Sequence, residues 1–216
     1  MKHGLIKGGS MKLIELIYDK EKYREKIKEN IVSEIETIFK VNGMLLGGGC
    51  LKSEGGIYGD DCDLYGFFQD ILEGLAFLLD EGKHTRELYY RKNVEHIVGW
   101  NRFKVKNFDL AYGTSLFFRY NDYIFELDKD KDELIIHYRN DPLSYTDCEK
   151  YKGKERGIVR VPLKDFTKEI VKLAEEYLEL LRNSEIPEGY DFYIDDLQEY
   201  LNDVKKYYKE RYGEEL

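Results

Sequence analysis

The chain has 216 residues, 36% of them charged, and a formal net charge of −9. A chain of this length can bury roughly 70% of the surface its unfolded form exposes, so it needs no staples to fold. The acidic balance argues against general nucleic-acid binding, which relies on Lys and Arg to displace counterions. The longest apolar runs fall far below the ~20 residues of a membrane span.

Residues 1–10 differ in character from the rest of the chain, and Met11 opens a well-patterned segment. Lys7, Gly8 and Gly9 can be encoded by a ribosome-binding sequence at a suitable distance before the Met11 codon. Residues 1–10 are therefore expected to be a leader or expression scar, disordered, and 11–216 a single α+β domain. Residues 13–18 predict a short strand. Over residues 20–40, Tyr23, Ile27, Ile31, Ile35 and Ile38 recur at three- and four-residue steps and predict a helix. Their β-branched content leaves a strand open over 31–39. Met44, Leu45 and Leu46 make a short apolar run ending in Gly47, Gly48 and Gly49, and the segment to Gly59 reads as loop.

Asp60 and Asp61 precede the clearest helix of the N-terminal half, with Leu64, Phe67, Phe68, Ile71, Leu72, Leu75, Leu78 and Leu79 on its apolar positions. Gly82 stands where a C-cap belongs. Residues 86–139 change period, and strands are expected over 86–91, 102–112, 116–120, 123–127 and 133–139. Asn121-Asp122 reads as a tight hairpin turn and residues 128–132 as a polar second turn. Residues 140–157 read as a polar loop and 158–161 as a closing strand. Phe166, Ile170, Leu173, Ala174, Tyr177, Leu178 and Leu181 mark one further helix, and Leu197, Tyr200, Leu201, Val204, Tyr207 and Tyr208 the last. A block of strands followed by helices argues for α+β, an antiparallel meander of four to six strands packed against amphipathic helices. Tyr89-Tyr90 and Phe117-Phe118 would each leave one ring facing outward from a half-buried sheet. Either the C-terminal helices cover that second face, which is the expected arrangement, or the sheet offers it to a partner.

Three cysteines, Cys50, Cys62 and Cys148, form no CxxC pair and cannot all be bridged, which points to a reducing cytoplasm. His84, His96 and His137 are isolated, with no Cys/His pattern at zinc spacing. From Asn183 to Val204 the chain carries seven acidic residues, Glu185, Glu188, Asp191, Asp195, Asp196, Glu199 and Asp203, and no Lys or Arg. Tyr190, Phe192, Tyr193 and Tyr200 interleave with them. Such a surface suits capture of a protein partner with a basic surface, because charge steers encounter and tyrosines give rigid contact area. The plainer alternative is a helix whose acidic start and basic end, Lys205, Lys206, Lys209 and Arg211, match its dipole.

Two resemblances sharpen these readings. Leu45 and Leu46 before Gly47, Gly48, Gly49 and Cys50, with Asp61-Cys62-Asp63 following, resemble the polymerase-β-type nucleotidyltransferase signature. Cys50 stands where that family has serine. The resemblance implies Mg²⁺ and a nucleotide held by Asp61, Asp63 and a third carboxylate, for which Asp109 between Phe108 and Leu110 is the candidate. The competing reading makes Asp61 and Asp63 the capping start of the following helix. The order of elements across most of the chain, including Arg160 to Phe166 leading into a helix, resembles the small acidic immunity proteins encoded beside bacterial polymorphic or contact-dependent toxins. That resemblance implies a cytoplasmic non-enzyme that blocks one cognate basic toxin, with Glu188, Asp191, Tyr193, Asp195, Asp196, Glu199 and Asp203 as the contact face. A regulatory or structural subunit of another partner is the third reading.

Overall fold

A computed structural model describes residues 12–48, 50–51, 57–58, 60–83, 87–119, 121–140 and 156–216. The expected leader, His84, Cys148 and most of the expected 140–157 loop lie outside the described residues. The fold is α+β, with two antiparallel four-stranded sheets and five α-helices among the described residues.

Strand β1 (Ile14–Tyr18) leads through helix α1 (Lys20–Ile27) to β2 (Glu34–Val41) and β3 (Met44–Gly47). The single helix expected over 20–40 is thus cut short. Asp19 caps α1 through Glu21 N and Lys22 N. The helix ends in a turn where Ser33 donates to the Asn30 carbonyl and Asn30 Oδ1 receives Val32 N. Beyond it Ile35, Thr37, Phe39 and Val41 alternate into the core with the period of a strand. The short pairs β4 (Cys50–Leu51) and β5 (Ile57–Tyr58) lie within the stretch expected to be loop.

Strand β6 (Asp60–Asp63) pairs with the first half of β2, while β3 pairs with the second half and β1 runs along the opposite edge. Helix α2 (Leu64–Asp80) follows β6 without a linker. It is buried on nearly every side: among its residues only Gln69, Asp70 and Glu73 are partly exposed. Its C-cap, Glu81, is left-handed at φ 56°, and Gly82 continues the turn at φ 72°.

Residues 87–101 differ from expectation. They form helix α3 (Glu87–Asn101), so Tyr89 and Tyr90 belong to a helix and not to a strand. Val94, Ile97 and Asn101 recur at helical spacing and are buried, and this tertiary packing overrides the local β-propensity of aromatic and β-branched residues. Of the strand expected over 102–112 only the end forms: residues 102–107 take no regular structure, Arg102 being left-handed at φ 55°, and a 3-10 turn (Phe108–Leu110) then enters β7 (Ala111–Thr114). The meander is β7, β8 (Asp122–Asp128), β9 (Glu133–Arg139) and β10 (Arg156–Pro162), each pairing with the next. Asp128 pairs with Glu133, so the expected polar turn is in place. Among the described residues of the strand expected at 116–120, Phe118 makes an isolated bridge to Cys62 and no strand forms; Tyr120 lies outside the described residues. Thr114 pairs with Tyr123, and β8 already begins at Asp122, so Asn121-Asp122 is no hairpin turn.

Helices α4 (Leu163–Arg182) and α5 (Asp191–Tyr212) complete the fold. Tyr123, Phe125, Leu127, Leu134, Ile136 and Tyr138 join α2, α4 and α5 in one continuous core. The other face of the meander holds Ile124 and Ala111 against Val94 and Ile97 of α3, with Phe103 and Val105 alongside. It is α3, rather than the C-terminal helices, that covers this second face. Each large apolar side chain so enclosed contributes about 1.5–3 kcal/mol. No helix among the described residues is long and apolar enough to cross a membrane.

Candidate partner-binding face

Helix α5 begins at Asp191 after a turn in which Tyr190 N donates to the Pro187 carbonyl. No side chain caps it, so its first N–H groups and the positive end of its dipole favour the acids of the opening turns. The four-residue spacing of Asp191, Asp195, Glu199 and Asp203 aligns them in one row, and Asp196 stands beside it. All five are exposed, as is Glu188 in the preceding turn. The opposite side of the helix buries Leu197, Leu201, Val204 and Tyr208. Among the described residues, none of these six carboxylates lies within ion-pair distance of a cation, whereas Glu185 meets Lys28 at 3.8 Å. The basic half of α5 is engaged internally: Lys205 pairs with Glu175, Lys209 with Glu215, and Arg211 with Asp132 and Glu81.

The aromatics at this end form a packed group. Tyr193 stacks on Phe192 at 4.2 Å and on Tyr190 at 5.5 Å between ring centroids, and meets Tyr65 of α2 edge-on at 4.8 Å. Tyr193 is half-buried and Phe192 is 52% exposed. Tyr200 receives a hydrogen bond from Gln69 of α2 at 3.2 Å. Burial, reinforced by the charge of Asp196, pushes the Tyr65 hydroxyl well above the usual tyrosine range. Tyr200 is raised by burial and by Glu73 and Asp196, outweighing its bond from Gln69. The partly exposed stripe of α2 therefore extends the negative field of α5 across to Glu73 and Asp70.

The carboxylates proposed for metal ligation are arranged differently. Asp61 and Asp63 do lie on a strand, β6, with Asp61 exposed. Asp63 is also the N-cap of α2 and accepts from Tyr65 N at 3.0 Å. Its carboxyl is pushed up to about 6 by burial, with Glu34 and Asp70 adding to the rise against the Gly66 and Tyr65 amides. Asp109 sits on the 3-10 turn at the entry to β7, whereas the turn that pairs with Cys62 leaves the strand's other end. Among the described residues no three His, Cys, Asp or Glu side chains are grouped to hold a metal ion, so Asp61, Asp63 and Asp109 do not form such a set. Of the cysteines, Cys62 is buried, with its thiol 3.6 Å from the Leu116 carbonyl.

Sequence patterning missed one polar constellation. Glu126 and His137 meet on the outer face of the meander at 2.8 Å, both nearly fully buried. The second carboxylate oxygen of Glu126 accepts the backbone N–H groups of Lys106 and Asn107, each at 2.8 Å. Burial alone would raise the Glu126 carboxyl, but the bond to His137 and these two amides hold it below the ordinary value. The signal was present as a glutamate inside Tyr123 to Leu127 and a histidine inside Leu134 to Tyr138. Register from the 128–132 turn puts both on one face. The pair fastens the 102–107 segment over the sheet. His96, by contrast, is exposed on α3 with its ring 6.0 Å from that of Trp100.

The chain matches no protein-family model, and no curated protein or solved structure is similar to it.

Proposed function

We propose that this protein is a non-enzymatic binding protein that captures a basic protein partner through the acidic, aromatic face of α5, in the manner of an immunity protein neutralising a cognate toxin. The observation that carries this reading is the row of Asp191, Asp195, Glu199 and Asp203, with Glu188 and Asp196, exposed and without a cation among the described residues. A like-charged row spaced at i, i+4 costs a helix a few tenths of a kcal/mol per pair. It is retained beside a rigid group of rings that offers contact area at low entropy cost. An acidic inhibitor of a nucleic-acid-cutting toxin would present the charge of the toxin's substrate. The transferase alternative draws no support from Asp63 serving as a helix cap or from Asp109 at the far end of β7.

The test is calorimetric titration of the purified protein with the basic C-terminal domain of the neighbouring gene's product, at low and high salt. Tight binding that weakens as salt rises is expected, and the combined Asp195→Lys, Asp196→Lys and Glu199→Lys variant should bind roughly a hundredfold more weakly. Equal affinity of variant and wild type would remove α5 as the contact face. No binding at low salt would remove the cognate-toxin form of the proposal.

A further inference from the structure

Beside the α5 face, one exposed aromatic ring is held out by unusual backbone. Leu116 and Phe117 are consecutive, bulky and both left-handed, at φ 49° and 56°. Such residues are conformational outliers that persist only where surrounding contacts over-determine them, and they cluster at ligand clamps and functional sites. The contacts here are plain: Leu116 N donates to Thr114 Oγ1 at 2.8 Å, Phe117 N to Ser115 Oγ at 3.3 Å, and Phe118 N to the Ser115 carbonyl at 3.1 Å. Phe118 is buried and bridges to Cys62, fixing the turn on β6. The result directs Phe117 outward, 44% exposed, with its ring over Gly66 so closely that a Cβ there would lie 2.6 Å from ring carbons.

The place of this ring is what gives it meaning. Tyr65 packs on Tyr193 of α5, and Gly66, the next residue, lies under Phe117. Phe117 and the Tyr190–Phe192–Tyr193 group thus flank the same first turn of α2. Between them run Gln69, Asp70 and Glu73, and Thr114 of the adjoining strand donates its hydroxyl to Asp70.

We infer that Phe117 is the apolar anchor of the partner interface, seating an aliphatic side chain that a basic polypeptide presents among its cations. This rests on the reading of α5 as a partner face and extends that face across α2. The carboxylates of Asp70 and Glu73 and of α5, on the side of the ring that faces α5, complement a cationic rim, and Phe117 supplies the desolvated centre that such interfaces require. Preset by its backbone, the ring loses little freedom on binding.

The probe is a pair of synthetic peptides of equal positive charge, one of Lys, Arg, Gly and Ser only, the other with two central leucines. Titration into the ¹⁵N-labelled protein should show the leucine peptide binding roughly tenfold more tightly, with the largest shifts at residues 115–119. Phe117→Asn, which tolerates a left-handed backbone, and Gly66→Ala, which displaces the ring, should abolish that increment and leave the affinity for the leucine-free peptide unchanged. Phe117→Leu should retain most of it. Thermal melting reports whether each variant is folded. An increment that survives in both Phe117→Asn and Gly66→Ala overturns the anchor. If it survives there but is lost when Asp195, Asp196 and Glu199 are reversed, the α5 reading stands without it. Absence of any salt-sensitive binding to wild type overturns both.

Discussion

Asp63 illustrates how one side chain can hold a fold and strain it together. It caps α2, yet it lies opposite Glu34 across the β2–β6 ladder and has lost much of its hydration. A carboxyl whose folded value is raised to about 6 favours folding fully only below the ordinary value near 4, and that contribution is lost as pH rises through about 6. Asn caps as well as Asp without the charge. Asp63→Asn should therefore raise stability by about 1–3 kcal/mol at neutral pH, with the gain closing towards pH 4. Chemical denaturation at several pH values measures this, and a gain independent of pH would contradict it. Glu126 has the opposite sign. Its carboxyl is held low, so its contribution is complete above the ordinary value near 4.3 and is lost as pH falls through the folded one. Glu126→Gln should lower the unfolding free energy by about 1–3 kcal/mol at neutral pH and loosen the 102–107 segment. Faster amide exchange of Lys106 and Asn107 is the local readout.

Among the elements, α5 carries its acids where they suit recognition better than stability. Glu199→Lys would replace two like-charged neighbours, Asp195 and Asp203, by two opposite pairs, and should stabilise the protein by about 0.5–1.5 kcal/mol. The same change should weaken capture of a basic partner. A melting temperature that falls would mean Glu199 has a structural role its exposure does not reveal. Elements whose burial matches one period are legible in the amino-acid sequence alone. Helices α2, α4 and α5 and the hairpin of β8 and β9 stand where their apolar spacing puts them. The acids expected on α5 stand exposed, whereas Tyr193, expected beside them, is half-buried among Tyr65, Tyr190 and Phe192. What was unreadable has local causes. Ile27, Ile31, Ile35 and Ile38 satisfy a helical period although a turn at Asn30 and Ser33 separates helix from strand. Tyr89 and Tyr90 favour strands, but α3 is chosen by the face of the meander that Val94 and Ile97 cover. Leu116 and Phe117 read as strand residues because no residue type there announces a left-handed backbone.

At the scale of the molecule, acidic and basic groups are sorted by use. Arg211 joins α5 to the β8–β9 turn through Asp132 at 2.8 Å and to the end of α2 through Glu81 at 3.2 Å, and Tyr212 donates to Asp132. Lys164 and Lys168 meet Glu214. Many cations are thus spent on closing the C-terminal end, leaving the opposite end of α5 negative. The burial of α2 has a further consequence. Phe67 touches the first sheet through Phe39, Gly74 lies against Tyr112 of the meander, and Phe68 stacks on Tyr177 of α4. Neither sheet can detach without wetting this helix, so heating should produce one calorimetric transition whose van't Hoff and measured enthalpies agree. Separate melting of the two sheets would refute this. By the same logic, a backbone nick just after Gly82 should leave two fragments that stay joined while folded, each too poorly covered to persist alone.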